Sequence, residues 1–376
     1  MAHITVLHLI HHFATAGIGR LVGVWLEHLE ERNLSLHVGA LSGQGDLKEE
    51  FRHLGVQVVD FSENRNRSSN SIEMVRDYVI ANQISIVHSH SPRTRLAAAA
   101  ALAGLRQTAH LATEHLFYSP WDRRWGLFYA LMDWFSLYLP DHIVTVSQHM
   151  RDQVVALPGL SSKRVTAVQN SVDCEVFYMP DERDACRLEF KLAPESKVVG
   201  YTGRLEKQKR LDLLLEGFST VLVQHPQARL MIVGDGWLRP KLEDLAADLG
   251  ISHAVIWTGY RQDIPRLLSA MDIFILPSAN EGLSMSLLEA MAAGKPSIVT
   301  DVGGAREVVA SGSTGILIPP GSASAIATAI VDLIDHPEKL TALAKAGRSR
   351  VFEDFSVQRL AEAYEKVYQA LASKAR

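Results

Sequence analysis

Cysteine is nearly absent. Cys174 and Cys186 are the only two in 376 residues, and they show no Cys-x-x-Cys spacing. That excludes a disulfide framework and a thiolate zinc site, and it points to a reducing compartment. No run approaches the roughly 20 apolar residues of a membrane span. The start, Met-Ala-His-Ile-Thr-Val-Leu-His-Leu-Ile, lacks a basic n-region and a cleavage site and reads as a first strand rather than a signal peptide. The expected location is cytoplasmic. Excess positive charge is missing too. Lys+Arg number 38 against 42 Asp+Glu, a net charge of −4, so no general electrostatic case exists for a nucleic-acid partner. Low-complexity tracts and short repeats are lacking. The 47% hydrophobic and 21% charged content is that of a globular chain, and 376 residues exceed one ordinary core, so two domains are expected.

What is present is a βα rhythm. Apolar runs at 4–10, 35–41, 56–61, 84–88, 143–147 and 164–168 alternate with helix patterns at 21–31, 72–81 and 95–105. Near-continuous apolar strands separated by helices imply a doubly wound parallel sheet, whose ligands bind beyond the carboxyl ends of the strands. The first loop carries Gly17-Ile-Gly19-Arg20, an anion cradle between strand and helix. A dinucleotide fingerprint is incomplete there, because Val22 replaces a third glycine and no acid ends the next strand. His88, His90 and His115 stand at later strand ends. A metal is not expected at His88 and His90, since no carboxylate or third histidine lies near that pair at ligand spacing. The polar, proline-marked stretch 179–195 reads as a linker between residues 1–178 and a second domain at 196–355, where the rhythm restarts.

The most informative stretch is Pro277-Ser-Ala-Asn-Glu-Gly-Leu-Ser-Met-Ser-Leu-Leu-Glu-Ala-Met-Ala-Ala-Gly-Lys-Pro296. It follows the apolar run 271–276 and reads as strand, loop and a helix over 285–293 closed by Gly294 and Pro296. Glu281 and Glu289 flank small residues whose N–H groups open that helix. Carboxylates accept from vicinal hydroxyls and a helix N-terminus faces negative oxygen, so a polyol with an anionic tail suits the site. A plainer reading keeps Glu281 as a cap and Glu289 as a solvated helix residue. Upstream, Arg204 and Lys209 stand five apart at a strand's carboxyl end, a planar fork and a point charge suited to a diphosphate.

Glu-Gly-Leu-Ser-Met-Ser-Leu-Leu-Glu-Ala-Met-Ala-Ala-Gly-Lys-Pro resembles the E-x7-E signature of the family-4 retaining glycosyltransferases, group 1 in type, and Gly-Arg-Leu-x-x-x-Lys-x-x-Asp at 203–212 fits the same family. Departures are Ala16 in a usual glycine pair, Ser171 in the Asn-Gly-Val-Asp segment and Arg210 where glycine follows the lysine. The resemblance implies an α/β GT-B fold. Two Rossmann-like doubly wound domains would face a central cleft, with the final helix (356–376) crossing back to the acceptor-side N-terminal domain. It also implies retaining, metal-independent transfer of a sugar from a UDP-hexose or GDP-mannose type donor to a glycan, glycolipid or small acceptor, as in polysaccharide biosynthesis, with no cofactor. Arg204, Lys209, Glu281 and His115 would be catalytic. Donor contacts would come from Gly17, Gly19, Gly203, Tyr260, Arg261, Gly282, Leu283, Ser284, Met285, Ser286 and Glu289. His90 and Arg20 would lie on the acceptor side.

The segment 121–139 stands apart. After Arg124 its polar residues are Asp133 and Ser136, amid Trp125, Phe128, Tyr129, Trp134, Phe135 and Tyr138. It is too short to span a bilayer. One reading is a helix packed inside the first domain; the sharper one is contact with a membrane surface or lipid-linked acceptor, making the protein peripheral. Three other functions stay open: a GT-B nucleotide-sugar epimerase, a dinucleotide oxidoreductase and a non-catalytic sugar-nucleotide binder.

Overall fold

A computed structural model describes residues 3–13, 18–29, 34–63, 70–115 and 127–374. The chain forms two compact units, Met1–Gln169 with Val357–Arg376, and Asn170–Ser356.

The first unit holds β1 (Ile4–His12), β2 (Leu34–Ser42), β3 (Gln57–Asp60), β4 (Ile86–Ser89), β5 (Ala109–Glu114), β6 (His142–Thr145) and β7 (Val165–Ala167). They pair in parallel in the order β3-β2-β1-β4-β5-β6-β7. Its strands are continuously apolar because helices cover both faces. Leu7, Leu9, Phe61 and Val87 pack with Val75, Val79, Ala97 and Ala98 of the helices Ser71–Ala81 and Pro92–Ala101. The second of these starts earlier than the alanine run suggests, since Ser91 caps it and Pro92 presets its first turn. Helix Val357–Lys374 belongs to this unit and packs on helix Ile18–Leu29, with Tyr364 and Tyr368 fully buried.

The second unit holds β8 (Val198–Thr202), β9 (Arg229–Val233), β10 (Val255–Gly259), β11 (Ile273–Leu276), β12 (Ser297–Thr300) and β13 (Ile316–Ile318). They are parallel in the order β10-β9-β8-β11-β12-β13. Residues 179–195, expected as a linker, are instead folded within it. They form the single turn Pro180–Glu182 and helix Arg183–Glu189, which packs on helix Ile264–Ala270. The reason is that their charges point inward. Arg183 donates to Asp272 at 2.6 Å, and buried Arg187 donates to Asp272 and to the carbonyls of Ala193 and Ser196. The unit boundary accordingly falls at 169/170 rather than after 178.

The aromatic segment is described from Leu127, as helix Leu127–Ser136; residues 121–126 lie outside the described residues. Its two polar residues turn inward. Buried Arg95 donates to Glu114 at 2.6 Å, to Asp133 at 2.5 Å and to Ser136 Oγ at 2.8 Å. Burial first, and then the Glu114 charge, push the Asp133 carboxyl up to about 7 against the pull of Arg95. Phe135 and Leu139, 61% and 47% exposed, face outward.

Arg210, where the resembling family has glycine, takes φ 50°, ψ 42° at the N-cap of helix Leu211–Gln224. That left-handed geometry costs a side-chain residue about 1–2 kcal/mol. Asp212 offsets part of the cost by accepting two bonds from the guanidinium, at 2.8 and 3.0 Å. Arg210→Ala keeps the strain and loses the pair, so it should lower stability by about 0.5–1 kcal/mol. Arg210→Gly removes the strain as well and should leave chemical-denaturation stability unchanged or higher. Equal losses in the two variants would exclude this account.

Burial depresses seven of the described histidines of the first unit, five of them strongly. His8, His110 and His115 fall from 6.5 to about 3, and His88 and His90 lie well below 6.5. They are neutral when folded and charge in the unfolded chain. Their stabilisation is therefore complete above pH 6.5 and is lost as pH falls from there toward 3. Each costs about 1.4 kcal/mol per pH unit in that window. Thermal melts should show the midpoint level from pH 7.5 to about 6.5 and dropping continuously from there to pH 5; a flat profile between pH 6.5 and 5 would refute the neutral-interior assignment.

Candidate functional site

In a parallel sheet the crevice forms where strand order reverses, beyond the carboxyl ends. In the second unit that point lies between β8 and β11. The loop after β8 carries Gly203, Arg204 and Lys209, and the loop after β11 carries Ser278 to Ser284. Three bonds join them: Ala279 N donates to Gln208 O at 2.8 Å, Gln208 Nε2 to Asn280 O at 2.6 Å, and Lys209 Nζ to Glu281 Oε1 at 2.6 Å. Ser278 Oγ donates to that same carboxylate oxygen at 2.6 Å, and Thr300 Oγ1 donates to Ser278 O at 2.6 Å. The side chains of Lys209 and Glu281 are only 15% and 12% exposed, so their attraction is weakly screened.

The rest of the loop is held by backbone. Gly304 N donates to Gly282 O at 2.8 Å, and Asn170 Nδ2 donates to Leu283 O at 2.8 Å. Gly303, at φ 56°, is required here because a Cβ would sit 1.9 Å from Glu281 O. Helix Met285–Ala292 then begins from Ser284, whose hydroxyl pairs with that of Ser286 at 3.0 Å instead of capping the helix. The helix therefore opens without a side-chain cap, the arrangement that accepts an anion. Glu289 follows one turn later, half-buried.

Arg204 shares this edge, but its mostly exposed guanidinium donates to Glu206 at 2.7 Å. Its carbonyl accepts from Tyr201 OH at 3.0 Å, and burial, then the Glu281 charge, raise that phenol. Behind Gly203, Gly234 leaves no room for a Cβ, which would meet Gly203 O at 2.0 Å. Tyr260 is half exposed. Arg261 is held by Asp263, with bonds of 2.7 Å from both Nε and Nη2, and by Glu189 at 3.1 Å. The structure thus brings Gly203, Arg204, Lys209, Glu281, Gly282, Leu283, Ser284, Met285, Ser286 and Glu289 to one sheet edge, with Tyr260 and Arg261 after β10 on the same sheet.

In the first unit the corresponding reversal lies between β1 and β4. Gly17 and the side chain of Arg20 lie outside the described residues; Gly19 is buried in helix Ile18–Leu29. His90 is buried and His115 half-buried. The expectation of no third histidine near His88 and His90 is corrected: parallel pairing sets His8 of β1 beside His88. The ring nitrogens of His8, His88 and His90 come within 4.8 Å of one another. Those nitrogens have partners, however. His8 Nδ1 meets His90 Nε2 at 3.1 Å, and His90 Nδ1 meets His115 Nε2 at 3.4 Å. His88 is bracketed by Tyr368 OH at 2.9 Å and Thr113 Oγ1 at 2.7 Å.

Sequence reasoning missed Ser278, Gln208, Asn170 and His8 as members of these sites. Ser278 had a readable signal, a hydroxyl three residues before Glu281 in a tight loop. His8 had none, because its neighbours come from a strand 80 residues away.

Family models match both parts of the chain. Residues 182–350 fit "Glycosyl transferases group 1" and residues 15–176 fit "Glycosyltransferase Family 4". EpsD of Bacillus subtilis (strain 168), provisionally named a glycosyltransferase, is 30% identical over 77% of this chain and 77% of its own length. Alpha-maltose-1-phosphate synthase of Mycolicibacterium smegmatis is 29% identical over 78% of this chain and 81% of its own. Among solved structures, HepE of Anabaena in complex with UDP and glucose superposes with a TM-score of 0.87 at 20% identity, over 98% of this chain and 100% of that one. Two parallel-sheet α/β units in this order are the GT-B fold, and the chain belongs to the group 1, family 4 glycosyltransferases.

Proposed function

We propose that the protein is a retaining glycosyltransferase that moves a sugar from a nucleotide-diphosphate donor, UDP-hexose in type, to a hydroxyl acceptor. The observation that carries this reading is the Lys209–Glu281–Ser278 cluster beside an uncapped helix start, because it offers a cation, an anion and free N–H groups at one strand edge. Glu289 accepts from the ribose hydroxyls and Glu281 from hydroxyls of the donor sugar. Arg204 and Lys209 take the diphosphate, exchanging Glu206 and Glu281 for phosphate oxygens. Tyr260, half exposed after β10, meets the nucleobase. His115 lies toward the donor sugar and His90 toward the acceptor. The two cations stabilise the leaving diphosphate, so transfer needs no divalent metal and no cofactor. HepE, described in complex with UDP and glucose, supports a UDP-sugar donor. The epimerase alternative finds no support in the relatives above, whose names are those of a glycosyltransferase and a synthase.

The acceptor side adds a membrane surface. Helix Leu127–Ser136 directs its polar residues to Arg95 and its Phe135 outward, the reverse of a solvated helix. Among the described residues no helix is long and apolar enough to cross a membrane, so the contact is interfacial and suits a lipid-linked acceptor.

Arg204→Ala and Lys209→Ala should each lower turnover about a hundredfold or more with a much smaller loss of donor affinity. Both that turnover and its insensitivity to EDTA are read in a donor-consumption assay against UDP- and GDP-sugars. Wild-type turnover in either variant removes the donor assignment, and activity abolished by EDTA removes the metal-free mechanism. Flotation with anionic vesicles should carry the protein upward, and Phe135→Ser should weaken that several-fold. Wild-type protein that stays at the bottom of the gradient would dispose of the interfacial contact.

A further inference from the structure

The buried histidines of the first unit form one unbroken series of hydrogen bonds. Tyr364 OH meets Thr113 Oγ1 at 3.0 Å, and Thr113 Oγ1 meets His88 Nε2 at 2.7 Å. His88 Nδ1 meets Tyr368 OH at 2.9 Å, and that hydroxyl meets His8 Nε2 at 3.4 Å. His8 Nδ1 continues to His90 Nε2 at 3.1 Å, and His90 Nδ1 to His115 Nε2 at 3.4 Å. Every histidine along the way is entered through Nε2 and left through Nδ1. Each of the seven groups, when neutral, has one hydrogen to give and a lone pair to receive.

Six links use six of the seven hydrogens, and the spare one falls at an end or on Thr113 or Tyr368, whose hydroxyl oxygens can accept twice; both of those are buried, so a spare hydrogen there is penalised as an unpaired donor. If the bonds run toward Tyr364, the orphan is its hydroxyl. Tyr364 is 0% exposed, and Thr113 is its hydrogen-bond partner among the described residues. A buried unpaired donor of that kind is penalised. If the bonds run toward His115, the spare hydrogen is on Nδ1 of the half-buried terminal residue, where a ligand oxygen can receive it. Burial holds all four rings neutral, the state the chain requires.

We propose that Tyr364, Thr113, His88, Tyr368, His8 and His90 are positioning residues that fix His115 as a neutral imidazole with its proton on Nδ1 and its Nε2 engaged. The role of that proton, donation to an oxygen of the bound sugar, rests on the reading that places His115 at the donor. A zinc ion at His8, His88 and His90 is the competing use of the same rings; taking one nitrogen from each, it would have to break a bond of His88 and at least one bond of the His8–His90 pair.

The test is a long-range 1H–15N spectrum of uniformly labelled full-length protein at pH 7.5, which separates protonated from bare ring nitrogens. The expected result is Nδ1–H at all four histidines. Tyr368→Phe removes the acceptor of His88 Nδ1–H and the donor to His8 Nε2 but leaves the His8–His90 and His90–His115 bonds in place, so His90 and His115 should keep Nδ1–H. Nε2–H at His115 or a mixture among the four in wild type, or loss of Nδ1–H at His90 or His115 in the variant, overturns the proposal. Loss of the His8, His88 and His90 N–H signals on adding one equivalent of zinc chloride to chelator-treated protein overturns it in favour of a metal. If Tyr368→Phe fails to fold, the wild-type spectrum still decides. Turnover of His115→Ala is read separately: wild-type turnover beside the expected tautomers defeats the donor reading and leaves the chain standing, whereas lost turnover beside the wrong tautomers does the reverse.

Discussion

One carboxylate oxygen organises the second unit. Oε1 of Glu281 receives Lys209 Nζ and Ser278 Oγ, each at 2.6 Å, and Lys209 is 72 residues away in the chain. Both charged side chains are mostly withdrawn from water, so removing either partner would leave the other as an uncompensated buried charge. The pair therefore fixes the loop after β8 to the loop after β11 at the point where the strand order reverses. The two backbone-accepting bonds beside it, to Gln208 O and Asn280 O, extend that tie without adding charge. Gly303 allows the same loop to rest against the turn after β12, where any side chain would strike Glu281 O.

The first unit meets the same topological problem with opposite electrostatics. Around β1 and β4 its strand ends carry imidazoles and hydroxyls, and burial keeps the imidazoles uncharged, whereas β3 and β5 end in the ion-paired Asp60 and Glu114. Neutral groups that both give and take hydrogens can be enclosed by helices Ile18–Leu29 and Val357–Lys374 without counter-ions. Charge does enter this unit at Arg95, and there it is matched at once by Glu114 and Asp133. The two cations proposed for the diphosphate, Arg204 and Lys209, both stand in the second unit. The division suits a reaction whose leaving group is anionic and whose transferred group is not.

Much of this was legible in the residues, for definable reasons. Strands enclosed on both faces are apolar throughout, so the runs at 4–10 and 271–276 announced β1 and β11 directly. The two glutamates eight apart were legible because the chain itself sets their spacing across one loop and one turn of helix. What failed to read was polar sequence with an inward destination. Residues 179–195 look like a linker because a sequence does not reveal that Arg183 and Arg187 converge on Asp272. Asp133 and Ser136 look like the solvent side of a helix because their partner, Arg95, lies about 40 residues earlier. His8 looks like an ordinary strand residue until parallel register sets it opposite His88. In each case the deciding contact is long-range and polar, and neither periodicity nor composition records it.

The discontinuity of the first unit has a physical consequence of its own. The chain leaves that unit after Gln169 and returns to it at Val357, and the two ends of the second unit lie side by side. Val172 pairs with Ser356, and Val172 N donates to Phe355 O at 2.9 Å. The returning helix then supplies the hydroxyls of Tyr364 and Tyr368, the first completing the hydrogen bonding of Thr113 and the second that of His88. A histidine cluster on β1 and β4 is thus satisfied by hydroxyls that follow the whole second unit in the chain. Without them His88 Nδ1, His8 Nε2 and Thr113 would each lose a partner, a costly arrangement for groups that burial forbids to ionise. Formation of the first unit's polar interior must therefore await the returning helix Val357–Lys374, whereas the Glu281 cluster is complete within a continuous segment.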